Sequence, residues 1–183
     1  PLTPKCTKIL ERRPFPPGQH GKSRKGSLSD FGVQLLEKQK LRYQFMISEK
    51  ALRRYFDKAQ KFKGVTGTRL LQLLDERLDS TLVRAGLVPT MVAARQMINH
   101  KHVLVNGRRV ESPGFRVKES DVVSLSDKAK KIPFVSEGLK SGIASPYVDL
   151  DRASGSVKRT RTPERTEIPV ICNEQLVVEY YSR

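Results

Sequence analysis

The sequence predicts an α+β fold, in which a helical domain carries a small inserted module of two helices packed on a small antiparallel sheet. Leucines recur at helical spacing between Leu70 and Leu82, a pattern typical of a helix with one buried face. Valine then alternates with leucine at residues 103–105, which indicates a strand. Asn106-Gly107 follows, and this pair favours the positive φ angles of a tight hairpin turn.

The segment before these leucines is predicted to form two helices. Ser29 or Asp30 caps the first, which runs to about Phe45, and Ser48 caps the second. One side of the first helix carries Phe31, Leu35 and Leu36, and its other faces carry Lys38, Lys40 and Arg42. The apolar stripe of the second helix consists of Leu52, Tyr55, Phe56 and Ala59. A third helix, with the leucine stripe, is expected from residue 66 to about residue 86.

The elements that follow are shorter. Thr90 is expected to cap a helix that ends at Asn99. Pro133 is expected to break or delay a helix within residues 128–141. Strands are predicted at residues 103–105, 115–117, 122–125, 147–150, 156–159 and 175–180.

These patterns divide the chain into three segments. Residues 1–28 are predicted to be an irregular basic arm, because their prolines and glycines exclude a helix interior or a central strand. A disordered basic tail is the alternative for this arm. Residues 76–126 form the inserted module, and residues 29–75 and 127–183 form the helical and mixed domain around it.

The charge of the chain points to a polyanionic partner. Lys and Arg number 35 against 19 acidic residues, which gives a net charge of +16. Residues 1–69 hold 17 basic and five acidic residues, so this part carries a net charge of +12. Nucleic acid is the commonest partner of such a chain. The sequence has no run of 18 apolar residues, which argues against a membrane span.

Signatures of catalysis are scarce in this chain. Asp75, Glu76 and Asp79 lie beside Arg77, and helical carboxylates next to arginine are more often structural ion pairs than an acid–base pair. His100 and His102 lack the accompanying ligands of a zinc site. We therefore expect that the protein is not an enzyme and has no small-molecule substrate.

The module contains a set of short motifs in a fixed order. They are Glu-Arg-Leu-Asp at residues 76–79, Arg84, Ala-Arg-Gln at 94–96, His-Lys-His-Val at 100–103 and Val-Asn-Gly at 105–107. Together they resemble a widespread RNA-binding module, which is named after the fourth protein of the small ribosomal subunit. Tyrosyl-tRNA synthetases, pseudouridine synthases and heat-shock RNA-binding proteins also carry this module, so the module alone does not identify its host.

The flanks of the module distinguish between these hosts. Residues 11–21 read Glu-Arg-Arg-Pro-Phe-Pro-Pro-Gly-Gln-His-Gly, and residues 37–42 read Glu-Lys-Gln-Lys-Leu-Arg. Residues 63–67 and 173–183 complete the pattern. These segments resemble the bacterial-type ribosomal protein family itself, over nearly the whole chain. An RNA-modifying enzyme and a chaperone-like RNA binder remain the alternatives, and both lack these flanks.

The resemblance implies a ribosomal role. Members of the family bind the 5′ domain of small-subunit rRNA early and nucleate assembly of the subunit. They also contact mRNA at the entrance of its channel and neighbouring small-subunit proteins, and they influence decoding accuracy. The implied location is the small ribosomal subunit in the cytoplasm, with an organellar ribosome as the alternative.

The resemblance and the charge pattern together predict an RNA-contacting surface drawn from three segments. In the arm, the predicted contacts are Arg12, Arg13, Gln19, His20, Lys22, Arg24 and Lys25. In the helical segment, they are Lys38, Lys40, Arg42, Arg53, Arg54, Thr66 and Arg69. In the module, they are Arg77, Arg84, Arg95, Gln96, His100, His102, Asn106, Arg108 and Arg109. Asn106 is the least expected of these, because its turn role alone explains it.

We expect no bound cofactor from the cysteines of this sequence. Cys6 and Cys172 do not form a disulfide framework. Many members of the resembled family begin with a four-cysteine zinc knuckle, and Cys6 aligns with its last ligand. The other three ligands would precede Pro1, so zinc is expected only if a cysteine-bearing segment precedes this sequence. One cysteine does not make a structural zinc site.

Overall fold

The computed structural model describes residues 4–23 and 26–183. Its first element is helix α1 (Pro4–Arg12), so the prediction of an irregular arm over residues 1–28 is wrong for this stretch. Proline is tolerated in the first turn of a helix, where the missing N–H has no acceptor. The helix ends before Pro14, because the residue that precedes a proline is biased away from helical geometry.

Helices α2 (Asp30–Gln44) and α3 (Glu49–Gln60) start at the predicted caps. The hydroxyl oxygens of Ser29 and Ser48 accept hydrogen bonds from the third residue beyond each cap. The predicted stripe of α3 is confirmed, since Leu52, Phe56 and Ala59 are buried. The helix α2 is confirmed, but the side that carries Phe31 and Leu36 is not its buried side, since each of these residues is 47% exposed. Its buried residues are Gln34, Lys38 and Leu41.

The expected single helix over residues 66–86 is two helices, α4 (Thr66–Asp75) and α5 (Leu78–Arg84). Arg77 interrupts them in an extended conformation, with φ −70° and ψ 149°. Its neighbours pair with residues 115–117: the Leu78 N–H donates to the Phe115 carbonyl and the Val117 N–H to the Glu76 carbonyl, both at 2.8 Å. The strand predicted at residues 115–117 is therefore a single bridge rather than a strand.

The module continues with helix α6 (Met91–Asn99), which Thr90 caps as predicted. Strands β1 (Val103–Val105), β2 (Arg108–Arg109) and β3 (Val122–Leu125) follow. Two short helices, α7 (Asp127–Lys130) and α8 (Pro133–Ser141), flank the predicted break before Pro133. Strands β4 (Val148–Asp151) and β5 (Ser156–Arg159) complete an antiparallel sheet with the order β2-β1-β3-β5-β4. The sheet thus extends past residue 126, where the module was expected to end.

The strand predicted at residues 175–180 is wrong, because this segment is helix α9 (Glu174–Tyr181). Its valines and tyrosines favour a strand by local propensity alone. However, Asn173 caps the segment by accepting a hydrogen bond from the Gln175 N–H. Val177 and Tyr181 lie one helical turn apart and are both buried, so packing decides the conformation.

Two hydrophobic cores organise these elements. One core contains buried residues of α2, α3, α4 and α9. The other contains buried residues of α5, α6, α7, α8 and the sheet. The α4–α5 junction is where the chain passes from the first core to the second, so residues 75–79 lie between the two.

Candidate nucleic-acid interface

The exposed side of α3 is a cationic face, which we define as Lys50, Arg53, Arg54, Lys58 and Lys61. It exists because Leu52, Phe56 and Ala59 turn the opposite side of the helix into the core. Arg53 forms an ion pair with Asp57 at 3.4 Å, and both side chains are more than half exposed. Among the described residues, no carboxylate pairs with the other four cations. The face thus carries unneutralised positive charge.

The N-terminal segment adds exposed cations to the surface. Arg12, Arg13 and Lys22 are exposed, together with Gln19 and His20. The ammonium of Lys22 lies 5.1 Å from the centre of the Phe15 ring. Arg24 and Lys25 were also predicted as contacts, and they lie outside the described residues.

The cations of α2 differ from the prediction. Lys38 is 4% exposed, so its assignment as an RNA contact is wrong. Its ammonium donates to Glu49 Oε2 at 2.8 Å and lies 4.8 Å from the centre of the Tyr180 ring. Lys40 forms an ion pair with Glu37, and the Arg42 guanidinium stacks on Tyr43. Lys40 and Arg42 are half-buried.

A buried carboxylate at the end of α4 joins the two cores. Asp75 is fully buried, and its carboxylate accepts from Arg84 Nε at 2.8 Å and from Arg159 Nη1 at 3.2 Å. The Arg159 guanidinium also lies over the ring of Tyr147. Burial and the neighbouring Asp75 charge raise the pKa of Tyr147 to about 12. A buried carboxylate requires such partners, because an isolated charge in the interior is very costly.

Asp79 and Glu76 are likewise carboxylates that are each bound by two arginines. Asp79 is fully buried and accepts from Arg77 Nε at 3.0 Å, from Arg77 Nη2 at 2.6 Å and from Arg95 Nε at 3.1 Å. Burial lowers the pKa of Arg77, but the hydrogen bonds and charge of Asp79 outweigh it, so the pKa lies above its ordinary value. Glu76 pairs with Arg69 and Arg116. The interpretation of these carboxylates as structural ion pairs agrees with this geometry.

The same geometry corrects the predicted contacts in this region. Arg77 is 4% exposed, so an RNA contact by Arg77 is wrong. The side chains of Arg69 and Arg84 are 19% and 14% exposed, and both are engaged by carboxylates. Arg95 is 30% exposed and also donates to the Met46 carbonyl. For these three arginines, an additional RNA contact stays a prediction.

The remaining predicted residues of the module lie at its surface. Gln96, His100, Arg108 and Arg109 are exposed, and His102 is half-buried, 6.2 Å from His100 between ring centres. Asn106 has a φ of 50° in the hairpin turn. Its side chain donates to Asp121 and accepts from the Val122 N–H, each at 2.9 Å. These bonds account for asparagine at this position without RNA.

Thr66 lies at the start of α4, where it is half-buried. Gly67 beside it is buried against Glu174: a Cβ there would lie 2.8 Å from the Glu174 Cγ. Glu174 in turn pairs with Arg165 at 2.9 Å. The expected phosphate contact at this helix start remains a prediction.

Two family models match consecutive parts of the chain. Residues 2–75 match the model of the ribosomal protein S4/S9 N-terminal domain, and residues 76–123 match the S4 domain. The chain is 45% identical to the small ribosomal subunit protein uS4 of Micrococcus luteus, over 100% of the chain and 90% of the relative. The corresponding protein of Streptomyces avermitilis is 44% identical, over 100% of the chain and 91% of the relative.

The chain belongs to the uS4 family of small ribosomal subunit proteins. The resemblance stated from the motifs is thereby confirmed, and so is the α+β fold class. Members of this family are named as ribosomal proteins rather than enzymes, which agrees with the expectation from the scarcity of catalytic motifs.

The described part of this uS4 family member has no cluster of three His, Cys, Asp or Glu side chains that would hold a metal ion. Cys6 lies near the start of α1 and is half-buried. The residues described around it therefore do not by themselves form a zinc site. None of the helices described is long and apolar enough to cross a membrane.

Three residues of this region were not predicted. Arg116 and Arg159 bind the carboxylates of Glu76 and Asp75. Phe62 is 48% exposed beside the cationic face. The alternation in β5 was a usable signal for Arg159, because it places this residue on the same side of the strand as the buried Val157. The run Lys61-Phe62-Lys63 was a usable signal for an exposed aromatic residue between cations.

Proposed function

We propose that the protein is a structural constituent of the small ribosomal subunit that binds the 5′ domain of its rRNA and nucleates subunit assembly. The observation that carries this proposal is the cationic face of α3, where four of five cations have no carboxylate partner among the described residues. Membership of the uS4 family and the S4 domain support it.

The mechanism is binding without turnover. Lysine and arginine release counterions from rRNA phosphates, which supplies affinity and makes it depend on salt. Sequence-independent recognition then requires a rigid surface, because the deep major groove of A-form RNA hides its base edges. The Asp75–Arg84 ion pair joins α4 to α5. The pairs Glu76–Arg116 and Arg77–Asp79 hold the junction between these helices. They would keep the α3 face and the module in one arrangement that matches a folded RNA junction.

The proposal extends to mRNA and to neighbouring proteins. The exposed cations Arg12, Arg13 and Lys22 are suited to mRNA at the entrance of its channel, where contacts would influence decoding accuracy. Val33, Leu36 and Tyr43 are exposed on one side of α2, and such apolar side chains are suited to a protein neighbour. The proposed location is the small subunit of a bacterial-type ribosome.

The test is filter binding across a salt series to a transcript of the rRNA 5′ domain and to an unrelated folded RNA of equal length. The first variant is the triple change Arg54→Glu, Lys58→Glu and Lys61→Glu. The matched control is Lys128→Glu, Lys131→Glu and Lys140→Glu, which makes the same charge change at exposed positions beside the other core.

We expect tight wild-type binding that keeps its preference for the 5′ domain at high salt. The α3 triple variant should reduce the magnitude of the negative slope of log affinity against log salt by about three, and the control should reduce it by less than about one. Equal wild-type binding to both RNAs would contradict the specific role and favour a generic RNA binder. Equal effects of the two triple variants would contradict the assignment of the α3 face.

A further inference from the structure

A groove separates the end of α3 from the loop at Gly114. We call it the Phe62 groove and define it by the lining residues Tyr55, Lys58, Lys61, Phe62, Gly114 and Arg116. Its volume is about 270 Å³. Pockets for drug-sized ligands span about 300–1,000 Å³, so this groove is near the lower end of that range and has room for a flat group such as a nucleobase.

The two aromatic side chains of the groove are not equivalent. Tyr55 already has two cations over its ring, Arg77 at 5.6 Å and Lys58 at 5.9 Å, and its hydroxyl accepts from Arg77. Phe62 has the guanidinium of Arg69 over its ring at 4.4 Å and is still 48% exposed. Room for a further flat group against the ring is therefore available at Phe62.

The charges around the Phe62 groove indicate which kind of flat group would bind there. No acidic residue is among the described residues that line the groove. Arg116 is neutralised by Glu76, but Lys58 and Lys61 have no carboxylate partner in the described part of the chain. An exposed aromatic ring beside unneutralised ammonium groups is the combination by which proteins bind single-stranded nucleic acid, with the base stacked on the ring and the backbone on the cations.

Gly114 keeps the groove open on its other side. A Cβ at this position would lie 3.2 Å from Nη1 of Arg77 and 3.7 Å from the Tyr55 hydroxyl oxygen. Any side chain there would therefore project towards the groove wall that Tyr55 and Arg77 form. Glycine leaves this approach free for a ligand.

We infer that the Phe62 groove binds one unpaired, unstacked nucleotide of rRNA, with its base against Phe62 and its phosphates at Lys58 and Lys61. This inference rests on the proposed function and deepens it, because it adds a base contact to a surface otherwise described by phosphate contacts. Stacking depends little on which base is present, since every base has a π face. The contact would select an unpaired position rather than a particular sequence.

Affinity for the 5′-domain transcript tests the stacking. We expect Phe62→Ala to weaken binding about tenfold without changing the salt slope, because no charge is lost. Phe62→Leu keeps an apolar side chain under Arg69 and should weaken binding similarly, whereas Phe62→Tyr should bind within about twofold of wild type. The matched control is Phe31→Ala, since Phe31 is 47% exposed and has the guanidinium of Arg183 over its ring at 5.6 Å; it should bind like wild type.

Crosslinking identifies the group in the groove. Phe62 is replaced by p-benzoylphenylalanine, the transcript is bound and irradiated, and reverse-transcription stops locate the crosslink. We expect stops at one unpaired nucleotide. Stops at paired nucleotides, or a crosslink to another protein in reconstituted subunits, would overturn the inference. Wild-type affinity of Phe62→Ala or Phe62→Leu would overturn it as well.

The outcomes separate this inference from the proposed function. If wild type prefers the 5′ domain and Phe62→Ala binds it equally well, nucleotide binding in the Phe62 groove is rejected and the proposed ribosomal function is kept. If wild type binds both RNAs equally and Phe62→Ala weakens binding to both, the specificity for the 5′ domain is rejected and nucleotide binding in the Phe62 groove is kept.

Discussion

The guanidinium of Arg159 binds both the side chain and the backbone of Asp75, although 84 positions separate the two residues. Its Nη1 donates to the Asp75 carbonyl at 2.9 Å, and Nη1 and Nη2 lie 3.2 and 3.3 Å from Asp75 Oδ2. The last carbonyl groups of a helix have no N–H donor within the helix. Arg159 thus satisfies the end of α4 and ties it to β5, which joins the two hydrophobic cores.

Removal of Arg159 is expected to destabilise the fold strongly. Arg159→Met leaves the buried Asp75 carboxylate with one guanidinium, and breaking a buried pair in this way costs about 3–5 kcal/mol of unfolding free energy. Urea unfolding followed by circular dichroism measures the loss. The control is Lys158→Met, the exposed neighbour on the same strand, which should change stability by less than about 0.5 kcal/mol. Similar values for the two variants would show that the Asp75 pair contributes little.

Glu49 is expected to make stability depend on pH. Burial raises the pKa of Glu49, but hydrogen bonds from Lys38 and Tyr181 outweigh it, so the pKa lies below its ordinary value. A carboxyl with a lowered folded pKa contributes stability above its unfolded pKa, about 4.3 for glutamate, and loses it as pH falls through the folded pKa.

Glu49→Gln should therefore lower the unfolding free energy by about 1 kcal/mol at pH 7, a modest value because the Glu49 side chain is 43% exposed. The difference from wild type should shrink as pH falls below about 4. Urea unfolding at several pH values gives the comparison, with the exposed Glu137→Gln as control. A difference that stays constant with pH would argue against the ionised Glu49 as its source.

Substitutions of Asn106 distinguish its role in the hairpin turn from a direct contact with RNA. Asn106→Ala loses the bonds to Asp121 and Val122 and places alanine at a φ of 50°, so we expect a loss of about 2 kcal/mol. Asn106→Gly tolerates the φ and should cost about 1 kcal/mol. Thermal unfolding measures both. Filter binding at a temperature where both variants are folded should show wild-type affinity; a weakened Asn106→Gly would instead indicate a direct RNA contact.

Single cations should differ in their effect on the salt dependence of RNA binding. Arg54 is exposed on the cationic face of α3. Arg54→Gln should therefore reduce the magnitude of the negative slope of log affinity against log salt by about one. Lys140→Gln, at an exposed position of α8, should leave the slope unchanged. An unchanged slope for Arg54→Gln would remove this residue from the interface.

Local patterns identified part of the fold and part of the site correctly. Ser48 and the stripe of Leu52, Phe56 and Ala59 predicted α3 and hence its exposed cations, because a cap and a helical repeat act within one element. Asn106-Gly107 predicted the hairpin for the same reason. The sequence did not reveal that Lys38 is buried, because its partners Glu49 and Tyr180 lie on two other helices.

The sequence by itself determined the surplus of positive charge, the helix caps, the hairpin turn and the motifs of the family, since these depend on composition or on neighbours along the chain. Only the tertiary structure decided that residues 175–180 are helical, that the helix at residues 66–86 breaks at Arg77, and which arginines are internal. Each of these outcomes depends on partners distant in sequence. Burial of Val177 and Tyr181 outweighs strand propensity. The buried carboxylates of Asp75 and Asp79 draw Arg77, Arg84 and Arg159 inward, because a buried charge requires an opposite one.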